Sequence, residues 1–271
     1  MNKSILALTA LAGLAISSAA WAQTDTTSST ADILRQARVY QFQFRAGQYD
    51  VAPKYVVMLE EATKADPKDA DLSNAMGVAY MAQVVGVMLT GGKPADAWAG
   101  VQKGMHALER ALELNPDHAE ALDTHGGGQA IMASFQNAPQ MAAKGVADMN
   151  RAVELAPSSV RVRLVRAFNG LSLPDALRNH DTEAEDLDFL IKIAQGTRPG
   201  DYLHILRGDL YFELGDLDLA RVHYEMAGKS ASPAAEAQAR LTALTEGGVA
   251  FPAIKKLRNA AGADCVMCHG R

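Results

Sequence analysis

The stretch Leu206-Arg-Gly208-Asp-Leu-Tyr211-Phe-Glu-Leu-Gly215-Asp-Leu217-Asp-Leu-Ala220-Arg-Val-His-Tyr224-Glu-Met-Ala227, with Pro233 beyond it, decides how the rest of the chain is read. Two helical runs flank Gly215, which suits a helix that stops and a chain that turns back. Small residues at 208, 220 and 227 let two backbones approach, and Tyr211 and Tyr224 fill the space between layers. Such a pair of helices cannot bury its apolar face alone, so more copies should stack against it.

The order of the Leu-Gly, Tyr, Gly, Ala, aromatic and Ala positions resembles a tetratricopeptide repeat. The resemblance implies an all-α superhelix of antiparallel helix hairpins. Looser copies lie upstream. Ala46-Gly47-Gln-Tyr49-Asp-Val-Ala52 reads as a turn between two helices. Ala107-Leu-Glu-Arg-Ala111-Leu-Glu-Leu-Asn115-Pro116 and Asn150-Arg-Ala152-Val-Glu-Leu-Ala-Pro157 read as second helices closed by a proline. Asp66-Pro67 and Arg198-Pro199 are assigned the same closing role. Five hairpins follow, from Asp32 to about Ala231, and then a capping helix, giving a repeat domain over 32–246. Only the last copy has the usual length, so the longer ones are read as carrying inserted loops at Leu89-Thr-Gly-Gly-Lys-Pro94 and Phe135-Gln-Asn-Ala-Pro139. A plain helical bundle is the alternative architecture.

The repeat resemblance also implies a concave groove lined by the first helix of each hairpin, suited to a protein segment. Carried onto this chain, the groove would show Tyr202, Ile205, Asp209, Phe212 and Glu213 from the last repeat. An earlier repeat would show Asp71, Asn74, Val78 and Met81.

Past the repeats, Gly247-Gly248 breaks the chain and a tail follows over 249–271. It contains Lys255, Lys256, Arg258 and Arg271 against Asp264, with Ile254 and Leu257 three apart on one face of a short helix. It closes on Cys265-Val-Met-Cys268-His269-Gly-Arg271, and these are the two cysteines of the chain. Cys-x-x-Cys-His is the spacing of a c-type haem attachment site. On a helix the two cysteines and the histidine share one face, so two thioethers can hold a porphyrin edge while His269 reaches the iron as proximal ligand. One covalent haem c is the implied cofactor. A disulfide between Cys265 and Cys268, a thiol redox site and a metal site are the competing readings. The position of the motif resembles the class II cytochromes c over the last dozen residues, with nothing like their four-helix bundle upstream.

At the other end, Lys3, an apolar run from Ile5 to Ile16 and Ala20-Trp21-Ala22 have the form of a secretory signal peptide over 1–22, cut after Ala22. Residues 23–31 are polar and read as a disordered leader. Haem attachment to this motif in bacteria follows export, so the two ends agree on a periplasmic protein. Loss of Lys3 with the leader moves the formal charge from −5 to −6. That balance points away from nucleic acid, and the apolar run is too short to insert in a membrane.

A second axial ligand would come from the repeats. His106, His118, His125, His180, His204 and His223 are candidates, and His125 stands out because Gly126-Gly127-Gly128 follows it. Three glycines inside a helix cost about 1 kcal/mol each relative to alanine, so they serve either a flat ligand or a neighbouring helix. Close helix packing is the favoured reading. No triad, phosphate loop or paired carboxylates argue for an enzyme. The leading function is electron transfer by an exported haem protein whose repeats dock a periplasmic, redox-active protein partner. A haem-free binding or adaptor module with a Cys265–Cys268 disulfide and a five-coordinate haem gas or redox sensor are the alternatives.

Overall fold

The computed structural model describes residues 29–45, 47–136, 138–173, 175–228 and 234–245. The signal pattern over 1–22, the leader up to residue 28, the Gly247-Gly248 break and the tail over 249–271 lie outside them; the last residues expected in the disordered leader, Thr30 and Ala31, instead form the start of the first helix, where Ser29 O accepts from Asp32 N–H. Within the described residues, eleven α-helices succeed one another. They pair as α1 (Thr30–Arg45) with α2 (Ala52–Ala65), α3 (Ala70–Leu89) with α4 (Pro94–Leu114), and α5 (Ala119–Gln136) with α6 (Pro139–Leu155). Two further pairs are α7 (Val160–Ser172) with α8 (His180–Ile193) and α9 (Arg198–Glu213) with α10 (Leu217–Ala227). Helix α11 (Ala234–Thr245) packs on α10. The first helices α1, α3, α5 and α7 also touch in succession, forming one layer of the stack.

A recurrent turn writes this pattern. Helices α2, α4 and α6 end at Asp66, Asn115 and Ala156, each immediately before a proline. Proline disfavours the helical conformation in the residue preceding it, and all three have ψ between 62° and 94°. Two residues after each proline a side chain caps the next helix. Asp69 accepts from Leu72 N–H at 2.9 Å, His118 Nδ1 from Ala121 N–H at 3.3 Å, and Ser159 from Val162 N–H at 3.4 Å. Orphan amides at a helix start are satisfied in this way.

Eight residues after each of those caps comes the small residue on which the hairpin closes: Gly77, Gly126 and Ala167. A Cβ on Gly77 would lie 2.5 Å from Leu108 Cγ, and one on Gly104 would lie 3.3 Å from Gly77 O. Gly126 and Gly145 face each other so closely that a Cβ on either would meet the other's carbonyl oxygen at 2.5 Å. In the last hairpin Gly208 has the same role against Tyr224 and Ala220 O, as the quoted stretch predicts. Gly215, at φ +80°, makes the turn from α9 to α10.

Two expectations are corrected. Pro199 does not close a helix: α8 ends at Ile193, Gly196 turns the chain at φ +75°, and Pro199 lies in the first turn of α9, capped by Thr197. Proline is tolerated there because the first-turn amide has no intrahelical acceptor. Nor does the second hairpin gain its length from an inserted loop at 89–94; in the fourth, by contrast, the added length does lie between the helices, around Asp175–Leu177. The added length of the second and third hairpins is helical, 20 and 21 residues in α3 and α4 and 18 and 17 in α5 and α6, against 16 and 11 in α9 and α10.

Candidate functional site

Several side chains assigned to the groove lie in the core instead. Tyr202, Ile205 and Asp209 are buried in the last hairpin, and Asn74 is buried in α3; Asp71 is exposed, and Val78 and Met81 are half-buried. Asp209 faces inward because it accepts hydrogen bonds from Arg240 Nε and Nη2 at 2.7 and 3.0 Å and from Tyr224 Oη at 2.8 Å. Arg240 belongs to α11, so this buried trio ties the last hairpin to its capping helix. Burial opposes ionisation of the Tyr224 hydroxyl, and the adjacent Asp209 carboxylate raises its pKa further.

Between the third and fourth hairpins a second polar core escaped the sequence reading. Asp186 accepts from Arg163 at 2.8 Å and from Arg166 at 2.7 and 2.8 Å, and Arg166 also donates to Asn150. Beside it, Arg178 pairs with Glu183 at 2.6 Å and Glu213 at 2.5 Å. Asp123, fully buried on α5, has its carboxyl pushed well above the usual range by desolvation, which the Arg161 charge only partly offsets. No local pattern reveals the pairs of Asp186 with Arg163 and Arg166 or of Arg178 with Glu213, since their partners lie 20 to 35 positions apart.

The six candidate histidines fare differently. His125 is buried, with Nδ1 2.8 Å from Asp148 Oδ2 and Gln129 Nε2 at 3.3 Å. Its glycine run receives neighbouring side chains and backbone: Gly126 meets α6, Gly127 lies by Asn169, and Gly128 meets Met105 and Met81. Those neighbours leave no slot for a flat ligand there. His118 uses both ring nitrogens, one to cap α5 and the other against Asp71 Oδ1 at 3.0 Å. His180 pairs with Glu183 at 3.3 Å. His106 is exposed on α4, flanked by Lys103, Glu109 and Arg110.

His204 on α9 and His223 on α10 form a half-buried pair, Nδ1 to Nδ1 at 3.0 Å. The Tyr211 ring lies 5.3 Å from that of His223, and Arg207 stacks over Tyr211 while binding Asp188 at 2.9 Å. Burial, then the neighbouring His204 and Arg207, lower the His223 pKa to about 4. Its ring is therefore neutral near pH 7, the form in which imidazole ligates a metal. Alongside it on α10 run Leu219, Val222 and Met226, about 40% exposed. Offsets of three and seven residues place these three on one helix face, with His223 at its edge.

No group of three or more histidine, cysteine or acidic side chains could hold a metal ion among the described residues. No described helix is long and apolar enough to cross a membrane. His223 bonds through Nδ1, its Nε2 has no hydrogen bond among the described residues, and apolar side chains border the ring.

No protein family profile matches the chain, and no curated protein is similar to it. Among solved structures, TTC0263, a thermophilic TPR protein of Thermus thermophilus, is 15% identical. The match covers 79% of this chain and 97% of that one, with a TM-score of 0.52. A crystal structure of MamA is 18% identical over 72% of this chain and 91% of that one, with a TM-score of 0.45. Of these two, the first superposes closely enough to bear on the fold. With the described helices paired in antiparallel hairpins, that likeness shows an all-helical stack of the tetratricopeptide-repeat kind.

Proposed function

We propose that this is an exported c-type haem protein that transfers electrons in the periplasm, with its helical stack as the docking surface for a protein partner. The observation that carries the reading is Cys265-x-x-Cys268-His269, in a chain that begins with the pattern of a secretory signal. Cys265 and Cys268 would hold the porphyrin and His269 the iron, and the haem would supply one-electron chemistry. A stack of hairpins supports a docking role because it offers an extended surface.

The test is expression with and without the bacterial haem maturation machinery, followed by a haem stain on a denaturing gel and intact mass. Covalent haem should appear only with the machinery and vanish in a Cys265→Ala/Cys268→Ala variant whose helical signal is unchanged. Matured protein lacking the mass of one porphyrin would refute the reading and favour an adaptor closed by a disulfide.

A further inference from the structure

We propose that His204 and His223 form a binding site for a divalent transition-metal ion, with copper(II) the ion whose geometry it fits, held between the two helices of the last hairpin. The site lies wholly within the helical stack, so the inference goes beyond the haem reading and does not rest on it.

The two imidazoles come from different helices, α9 and α10, and meet Nδ1 to Nδ1 at 3.0 Å, with ring centroids 5.1 Å apart. Each Nδ1 carries at most one hydrogen, and at this distance only one fits between them, so one ring donates and the other accepts. The donating ring frees its lone pair by carrying the hydrogen on Nε2 instead, the other tautomer of neutral imidazole. Both Nδ1 lone pairs then face the gap, and a cation can take the place of the shared proton. Binding turns each ring so that its lone pair leaves the line between the nitrogens, a rotation about the soft terminal torsion of histidine.

The separation selects the ion. Metal–imidazole bonds of about 2.0 to 2.1 Å put two ligands roughly 2.9 Å apart at the right angle of a square-planar or octahedral shell, and roughly 3.3 Å apart at the tetrahedral angle of zinc. The observed 3.0 Å matches the first arrangement. Imidazole in a tetragonal shell suits copper(II) and nickel(II), and of these copper(II) binds more tightly.

No third histidine, cysteine or acidic ligand joins the pair among the described residues, so water completes the shell of these half-buried rings. Tyr211 lies beside His223, and Arg207 stacks over Tyr211 while binding Asp188 of α8 at 2.9 and 3.1 Å. The Asp188 carboxylate offsets the Arg207 charge that would otherwise repel a dication. The other histidines of the stack bond to carboxylates or, like His106, stand exposed. Because the two ligands belong to α9 and α10, an ion bound there also ties the hairpin together and stabilises the folded chain.

The experiment uses the full-length Cys265→Ala/Cys268→Ala chain, which has neither covalent haem nor thiols to compete for metal, and His204→Ala, His223→Ala and His106→Ala in that background. Far-ultraviolet circular dichroism establishes the fold of each. Copper(II) is titrated against glycine as competing chelator and followed by electron paramagnetic resonance. The parent should give a tetragonal signal split by two nitrogens, and its unfolding temperature should rise with copper. His204→Ala and His223→Ala should each weaken binding by more than the roughly tenfold that loss of an outer-shell partner costs, and should lose the copper-dependent rise. His106→Ala should match the parent. Where a variant fails to fold, the parent alone decides: copper at a small fraction of the protein concentration should broaden the imidazole resonances of His204 and His223 before those of the other histidines.

A parent that takes up no copper in competition with glycine overturns the inference. So do folded His204→Ala or His223→Ala chains that bind as the parent does, and broadening that begins at other histidines. None of these outcomes bears on the haem reading, which the stain and the mass of the matured protein decide.

Discussion

Replacing Gly126 by alanine isolates the contact on which the third hairpin closes. An alanine Cβ there would lie 2.5 Å from Gly145 O and 2.8 Å from Met149 Cγ. The first neighbour is backbone in the middle of α6, so it cannot swing aside as a side-chain end can. Overpacking of a closed interior costs about 1 to 3 kcal/mol, and a backbone obstacle belongs at the upper end. The substitution also gains about 1 kcal/mol of helix propensity. The net expectation is a loss of roughly 2 kcal/mol, which lowers the urea midpoint by about 1 M at a typical slope. Gly127→Ala is the control, because its Cβ would meet only the Asn169 amide, at 3.2 Å. There the propensity gain should dominate, for a stabilisation of about 0.5 kcal/mol. Urea unfolding followed by circular dichroism measures both. If Gly126→Ala proves as stable as Gly127→Ala, the backbone contact between α5 and α6 is not what the glycine serves.

Other perturbations test the buried charges. Arg240→Met strands the Asp209 carboxylate, which is 1% exposed, and should cost about 3 to 5 kcal/mol in denaturant unfolding; adding Asp209→Asn should recover part of it. Asp123 holds its proton in the folded chain at a pH where the unfolded chain releases it, so its contribution is present below the unfolded pKa and is lost as pH rises. Asp123→Asn should therefore gain stability relative to wild type with increasing pH, and a parallel pair of stability curves would contradict this. For His223 the sign is opposite: with its pKa lowered from 6.5 to about 4, stability falls as pH drops through that window. Nuclear magnetic resonance of the haem-free Cys265→Ala/Cys268→Ala variant should place its imidazole titration near 4, and a midpoint near 6.5 would show that burial and His204 do not act on it.

The hairpin turns were legible in the sequence because each is made by local chemistry. A proline closes one helix, a capping side chain two residues later opens the next, and Gly47 and Gly215 take the positive φ that other residues resist. Where a proline was misplaced, at Pro199, the error arose because proline suits both the residue after a helix and the first turn of one. The glycine run after His125 was legible as packing, but not which glycine made the crossing. Gly126 occupies the repeat position of Gly77 and Gly208, and its two glycine neighbours hide that register. The groove residues failed for a related reason. A periodic pattern gives the angle of a side chain about its helix, while burial depends on what the adjacent hairpin and α11 place over it.

By itself, then, the chain determined an all-helical architecture and the order of most of its turns, written in residues within about eight positions of one another, and it carries the Cys-x-x-Cys-His motif on which the proposed function rests. The tertiary structure decided which polar groups meet: Asp209 with Arg240, Asp186 with Arg163 and Arg166, and His204 with His223. Each of these pairs joins different helices across 19 to 31 positions, and a charge or imidazole is recognisable in sequence by type alone. Its partner, and with it whether the group is consumed or left free to bind, is set by the packing of one hairpin on the next.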